Sequence, residues 1–535
     1  MDRRCIRLVL VAALIVASGA GCRKSTPAPE PAAPEPTAPS APAVETVARI
    51  HWLGKERLAA ETNAAGLMTI WNLPESARLE TQTLGKLSVA PWPLLHREAD
   101  TNASALLRPL LDDALQEESY LEVRRATNQP GELAFAIRLP DARAGLWQTN
   151  LAAVLKSLTD IRPAPDTHGG WSLKKHHAPD FIQLARAGGW TILGAGQETN
   201  ALFNEMRARI ERDHAPFAAA ATNYWLEAEL DPRQLASAFS FDSKLPEGTP
   251  KISLTVAGDG ANVRMRGELN FPRPLPVAAL EPWNIPTNLV HNPLVSFMAV
   301  RGVRPWLASL KAWNDLQIGP PPDQFFLWAM QGLPNQTYFA APLPDASNEV
   351  YRATDLVLQK GGPWFATNSL FKFERAQQFN GLDWKGLPYI SPFLQSIETS
   401  GGGFAFGGFF PATATNPPPP ALLEEILSHT NLVCYQWELT GPRIEAWIFI
   451  GQFLRFATGH AQLPFDSASL AWLKAVAPKL GNCATGVTHT GPAQLSFVRK
   501  SPAGFTALEL HLLADWLESP QFPRGLYTLL APAPQ

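Results

Sequence analysis

Apolar residues recur along the body of this chain in two rhythms, one helical and one alternating, and their order predicts the fold. Leu106, Leu107, Leu110, Leu111 and Leu115 share one face of a helix predicted over residues 104–118, whereas residues 132–139 alternate as a strand. That strand runs through Pro140 and Asp141, a turn and cap, into a predicted helix over 145–158 carrying Leu146, Leu151, Val154 and Leu158. The same strand, turn and helix recur three more times. A strand over 224–230 leads into a helix over 233–239, with Asp231 as cap and Pro232 in the first turn. A strand over 293–300 leads into 305–313, and one over 432–439 leads through Thr440-Gly441-Pro442 into 443–456.

Two of these units are followed by a predicted hairpin. Residues 251–257 and 262–271 flank Gly258-Asp259-Gly260, and residues 493–500 and 504–512 flank Ser501-Pro502-Ala503. The expected fold is therefore α+β, in two similar halves, each a mainly antiparallel sheet with packed helices. The halves are placed at 47–272 and 293–535, and a Pro-rich linker at 273–292 interrupts both rhythms. A body of this length exceeds what one hydrophobic core holds.

Composition narrows the function classes. A hydrophobic content of 46% with 10% aromatics belongs to a folded chain, and a net charge of −3 leaves no basic footprint of the kind a nucleic-acid partner requires. The 50 prolines predict many short elements joined by rigid turns.

The N-terminus carries a different pattern. Arg3, Arg4 and Arg7 precede an apolar run at 8–18, and Gly19-Ala20-Gly21-Cys22 comes next, the layout of an export signal. The run is well short of the roughly 20 residues a spanning helix needs. A cysteine directly after three small residues resembles the bacterial lipoprotein signal, with Gly19 standing where that signal commonly has an aliphatic residue. The resemblance implies a signal peptide at 1–21, Cys22 as the lipidated first residue, and a membrane partner held through that lipid. Arg23 in place of an aspartate implies, by the same resemblance, sorting to an outer membrane of the cell envelope where one exists. Residues 22–46 then form a Pro/Ala-rich tether, because a segment without apolar side chains has nothing to offset its ordering entropy. Its prolines keep it extended, at about 3.1 Å per residue.

Candidate chemistry in the body is sparse. Cys434 and Cys483 remain as an even pair in an exported chain, and they read either as a disulfide or as two buried thiols. Lys174-Lys175-His176-His177 with Asp180 is the densest titratable cluster, but adjacent histidines on a strand point to opposite faces, so it reads as a solvated strand end and no metal is expected. Residues 190–196 lead into a predicted helix from about 200, but Thr199 stands where a dinucleotide fingerprint has its third glycine, so a glycine turn with Thr199 as cap is expected and no cofactor. The pairs Asp112-Asp113, Glu117-Glu118 and Glu424-Glu425 read as helix surface, and the glycine-aromatic stretch 401–410 as a tightly packed core strand. The expected function is that of an exported, membrane-anchored lipoprotein acting as a non-catalytic binding or envelope-associated module. Two alternatives stand beside it: a hydrolase of envelope or extracellular polymer with dispersed Asp, Glu and His, and a carrier of an apolar ligand between the two halves.

Overall fold

The computed structural model describes residues 44–523, apart from 100, 127–130, 167–168, 175–180, 199–200, 218–223, 239–244, 278–279, 311–318, 332–335, 362–371, 386–390, 400–401, 411–416 and 458–466. The predicted signal at 1–21, Cys22, nearly all of the predicted tether, Thr199 and the cluster of His176, His177 and Asp180 lie outside the described residues. The rest forms two compact units, both α+β. One comprises the chain up to Arg273 with a segment beginning at Asp515, and the other runs from Pro274 to Ala514.

The strands of the first unit are β1 (Val44–Trp52), β2 (Ser119–Ala126), β3 (Glu132–Arg138), β4 (Ala164–Pro165), β5 (Trp171–Lys174), β6 (Phe181–Ala187), β7 (Trp190–Gly196), β8 (Leu226–Leu230), β9 (Lys251–Asp259) and β10 (Asn262–Asn270). They pair antiparallel throughout, in the order β10-β9-β8-β1-β2-β3-β7-β6-β5-β4. Its helices include α1 (Lys55–Ala60), α2 (Ala103–Gln116), α3 (Asp141–Thr159), α4 (Ala201–Asp213) and α5 (Pro232–Ala238). Because side chains alternate across a strand, each face of the sheet has its own cover. Leu121, Leu133, Leu184 and Leu193 meet Leu151, Ala152 and Leu155 of α3 and Leu235 of α5 on one face. Tyr120, Ala134, Ala136 and Ile192 meet Leu202, Phe203, Met206 and Ile210 of α4 on the other.

The second unit contains β11 (Leu294–Arg301), β12 (Gln324–Met330), β13 (Thr337–Leu343), β14 (Lys372–Arg375), β15 (Gly381–Lys385), β16 (Phe393–Thr399), β17 (Gly402–Gly408), β18 (Leu432–Leu439), β19 (Asn482–Gly491) and β20 (Gln494–Ser501). Antiparallel pairing gives the order β20-β19-β18-β11-β12-β13-β17-β16-β15-β14. Its helices include α6 (Ala346–Leu356), α7 (Pro420–Leu427) and α8 (Thr440–Ala457), and α9 (Ala507–Glu518) starts in this unit and ends within the segment from Asp515 that belongs to the first. Phe297, Phe326, Trp328, Tyr338, Phe404 and Phe406 form its core beneath Leu422 and Ile426 of α7. The glycine-aromatic stretch is thus a core strand, β17, with Trp328 stacked on Phe406 at a centroid distance of 5.9 Å.

One predicted hairpin is displaced. The second hairpin pairs β19 with β20, and residues 507–512, expected as a strand, are helical. Thr506 and Glu509 explain the difference. Glu509 Oε2 accepts from the Thr506 backbone N–H at 2.8 Å, and Thr506 Oγ1 accepts from the Glu509 N–H at 3.2 Å, a capping box that starts α9.

Candidate functional site

A cluster of buried charge in the first unit lies on the sheet face toward α4. Glu118, Tyr120, Glu122 and Arg124 occupy alternate positions along the chain, and β1 sets His51 opposite Tyr120 and Arg49 opposite Glu122. His51 Nε2 lies 3.1 Å from Glu118 Oε1, and Arg57 Nη1 lies 2.5 Å from Oε2. Arg124 Nε donates to Glu122 Oε1 at 2.9 Å, Arg209 Nη2 to Oε2 at 2.8 Å, and the Tyr120 hydroxyl also to Oε2 at 3.3 Å. Burial alone would push both carboxyls up. The His51 hydrogen bond and the Arg57 cation outweigh it at Glu118, Arg209 and Arg124 outweigh it at Glu122, and both are held below the ordinary glutamate value. Both carboxylates are therefore ionised and already engaged on both oxygens. Chemically the cluster cross-links β1, β2, α1 and α4 by charge-assisted hydrogen bonds.

Two acids expected on a helix surface are interior instead. Asp113 is 8% exposed, and its carboxylate accepts from Trp147 Nε1 at 2.8 Å and from Arg143 Nε at 2.9 and 3.1 Å. Glu118 is 6% exposed, because α2 ends at Gln116 and the chain turns directly into β2. Glu424 and Glu425 are exposed, as expected.

Among the described residues, the start of α4 is met by a carboxylate of the chain itself. Glu132 supplies it, its carboxylate oxygens accepting from the backbone N–H groups of Ala201 and Leu202 at 3.3 and 3.2 Å. The strand leading to it, β7, is antiparallel to both neighbours, unlike the parallel strand of a dinucleotide fold.

Cys434 and Cys483 are free thiols. Cys434 stands opposite Val487 and Cys483 opposite Glu438, four positions along β18, which at roughly 3.3 Å per residue separates them by about 13 Å. A disulfide needs Cα atoms within about 7 Å, so the structure does not pair them. Burial pushes each thiol up to about 11. Beside Cys483, Glu438 is 3% exposed and accepts from the Ala507 N–H at 2.6 Å; burial pushes its carboxyl up, against that bond and the Arg443 cation.

The remaining feature is apolar. Across β11, β12, β13, β17 and β16 of the second unit, Met298, Leu327, Phe339, Gly407 and Leu394 succeed one another as direct cross-strand neighbours. They lie on the face opposite the aromatic core. Leu327 is 44% exposed and Phe339 36%, although both sit mid-sheet. Phe339 leans over Gly407, where a Cβ would come within 2.5 Å of its ring. Sequence periodicity missed this row because alternation alone does not say which face is covered. One signal was available: Leu-Pro-Asp-Ala occurs at both 139–142 and 343–346, opening α3 and α6.

Among the described residues no helix is long and apolar enough to cross a membrane, and no three His, Cys, Asp or Glu residues gather as a metal site. Comparison with protein families, curated proteins and solved structures returns no match to this chain.

Proposed function

We propose that this chain is an exported, lipid-anchored, non-catalytic binding module built from two similar halves, and that the open apolar row of its second unit is its contact surface. The exposure of Leu327 and Phe339 carries the reading, since contiguous apolar surface in the middle of a folded sheet is what an interaction site presents to water. Two similar halves are supported by the strand orders, which coincide when ten is subtracted from each label of the second. They are also supported by the shared Leu-Pro-Asp-Ala segment, and by Gly54 and Gly302, which take φ of +91° and +77° within two residues of the end of the first strand of each unit. The saturated carboxylates of Glu118 and Glu122 favour a structural use of the buried charge.

The anchor and the surface are tested separately. Cys22→Ser is expected to move the protein from the membrane fraction to the soluble fraction; retention would identify residues 8–18 as a kept anchor. An apolar dye such as bis-ANS is expected to bind the full chain and to lose most of its emission with Leu327→Glu or Phe339→Glu. Emission unchanged by both substitutions would sink the surface.

A further inference from the structure

We infer that residues 515–523 form a strap that completes the first unit, which becomes fully stable only once this segment has docked on the helix Pro74–Val89. The body of that unit ends at Arg273, and its remaining piece begins at Asp515, with the second unit between them in sequence. Lys86 supplies the central contact. Its ammonium donates to the Leu517 carbonyl at 2.7 Å and to the Ser519 carbonyl at 3.5 Å, across 431 and 433 positions of sequence. Gln82, one turn earlier on the same face of the helix, donates to Glu518 Oε2 at 3.4 Å.

The chemistry of a helix end explains the contact. α9 stops at Glu518, and the last carbonyls of a helix have no partner within it, so a cation placed there meets both the free oxygens and the negative end of the helix dipole. Lys86 is thus a C-terminal cap brought from a distant part of the sequence. Burial pulls its ammonium below the usual lysine range, against the nearby Glu518 carboxylate, so the cation has left water to make these bonds. The segment is interior as well: Asp515, Ser519 and Phe522 are all buried. Its own bonds fold it into a tight turn. The Ser519 N–H donates to the Trp516 carbonyl at 3.1 Å, the Phe522 N–H to the Ser519 carbonyl at 3.0 Å and Trp516 Nε1 to the Pro523 carbonyl at 3.2 Å, while the Trp516 and Phe522 rings meet edge to face at 4.9 Å.

Its place in the sequence gives the strap a consequence. Contacts between near neighbours form early in folding, whereas those between distant segments wait for the chain that makes them. The sheet of the first unit can pair once residues up to Arg273 exist, but the cap by Lys86 needs Ser519. A chain that crosses a membrane unfolded therefore holds back the completion of its first unit until this late segment has crossed. That consequence rests on the export reading; the strap itself does not.

Hydrogen exchange on the full chain, read by mass spectrometry, tests the strap. Lys86→Met removes both donated bonds. It is expected to speed exchange about tenfold in residues 515–523 and in β2, β3 and β7 of the first unit, while β18 and β19 of the second keep the rates of the parent. Lys86→Arg keeps a cation and its donors there and is expected to restore most of the protection. Lys479→Met, at an exposed lysine of the second unit, is expected to change nothing. In the parent, pulse-labelled during refolding from urea, β2, β3 and β7 are expected to reach full protection no earlier than residues 515–523. Faster exchange of the segment alone would mean that the first unit is complete without it, and unchanged exchange of the segment would mean that Lys86 does not hold it; either result overturns the strap. Full protection of the first-unit strands before the segment overturns it too, as does a loss spread equally over both units.

Discussion

Phe339 and Gly407 stand directly opposite each other on β13 and β17, and the ring of one occupies the space a side chain on the other would need. A Cβ at 407 would sit 2.5 Å from Phe339 Cε1 and 2.8 Å from the Phe393 carbonyl oxygen. Gly407→Ala is therefore expected to displace Phe339 and to cost about 1–3 kcal/mol, as overpacking does. Urea unfolding of the full chain checks this. A midpoint equal to that of the parent would mean that the strand yields freely.

Acid sensitivity arises from Glu118 and Glu122. Burial opposes their charge, but His51 with Arg57, and Arg209 with Arg124, hold both carboxyls below the ordinary value of 4.5. A lowered carboxyl contributes stability that is fully present above 4.5 and is lost as pH falls through the depressed folded value. The midpoint of the first unit is thus expected to fall between pH 5 and pH 3, and the fall to shrink in a Glu118→Gln variant. Equal slopes in parent and variant would assign the acid loss elsewhere.

Glu438 carries the opposite sign. Its burial raises the carboxyl above 4.5 against the Ala507 hydrogen bond and the Arg443 cation, so the folded state takes up a proton more readily than the unfolded chain. The stability tied to it is present below 4.5 and is lost as pH rises through the raised value. Glu438→Gln keeps an oxygen for the Ala507 N–H and removes the buried charge. It is expected to be at least as stable as the parent at pH 8, with the gap narrowing toward pH 4. A variant less stable at pH 8 than at pH 4, relative to the parent, would overturn this account.

The start of α9 depends on Thr506, which is 3% exposed and caps the helix reciprocally with Glu509. Thr506→Ala is expected to cost about 0.5–2 kcal/mol. Thr506→Ser retains the hydroxyl and should recover most of that loss in the same thermal or urea measurement.

What was legible in the sequence is what depends on neighbours along the chain. The helices at 103–116 and 141–159, the hairpin of β9 and β10, and the strand that β17 makes of its glycines and aromatics all arise from local periodicity and turn chemistry. The hairpin misplaced at 504–512 was a competition between two local signals. The capping box of Thr506 and Glu509 favours a helix more strongly than the alternation of the same stretch favours a strand.

The α+β class was thus determined by the sequence itself, through the order in which helical and alternating rhythms succeed one another; the expectation of an export signal ending before Cys22 likewise rests on sequence alone. Only the tertiary structure decided which side chains meet across distant segments. Asp113 and Glu118 are interior because Trp147, Arg143, His51 and Arg57 converge on them from elements far along the chain. Cys434 and Cys483 are kept apart by the register of β18 with β19. Leu327 and Phe339 look like core residues by alternation, and in the folded sheet they are 44% and 36% exposed. The physical reason is common to all three: periodicity sets the face on which a side chain lies, and only packing decides what covers that face.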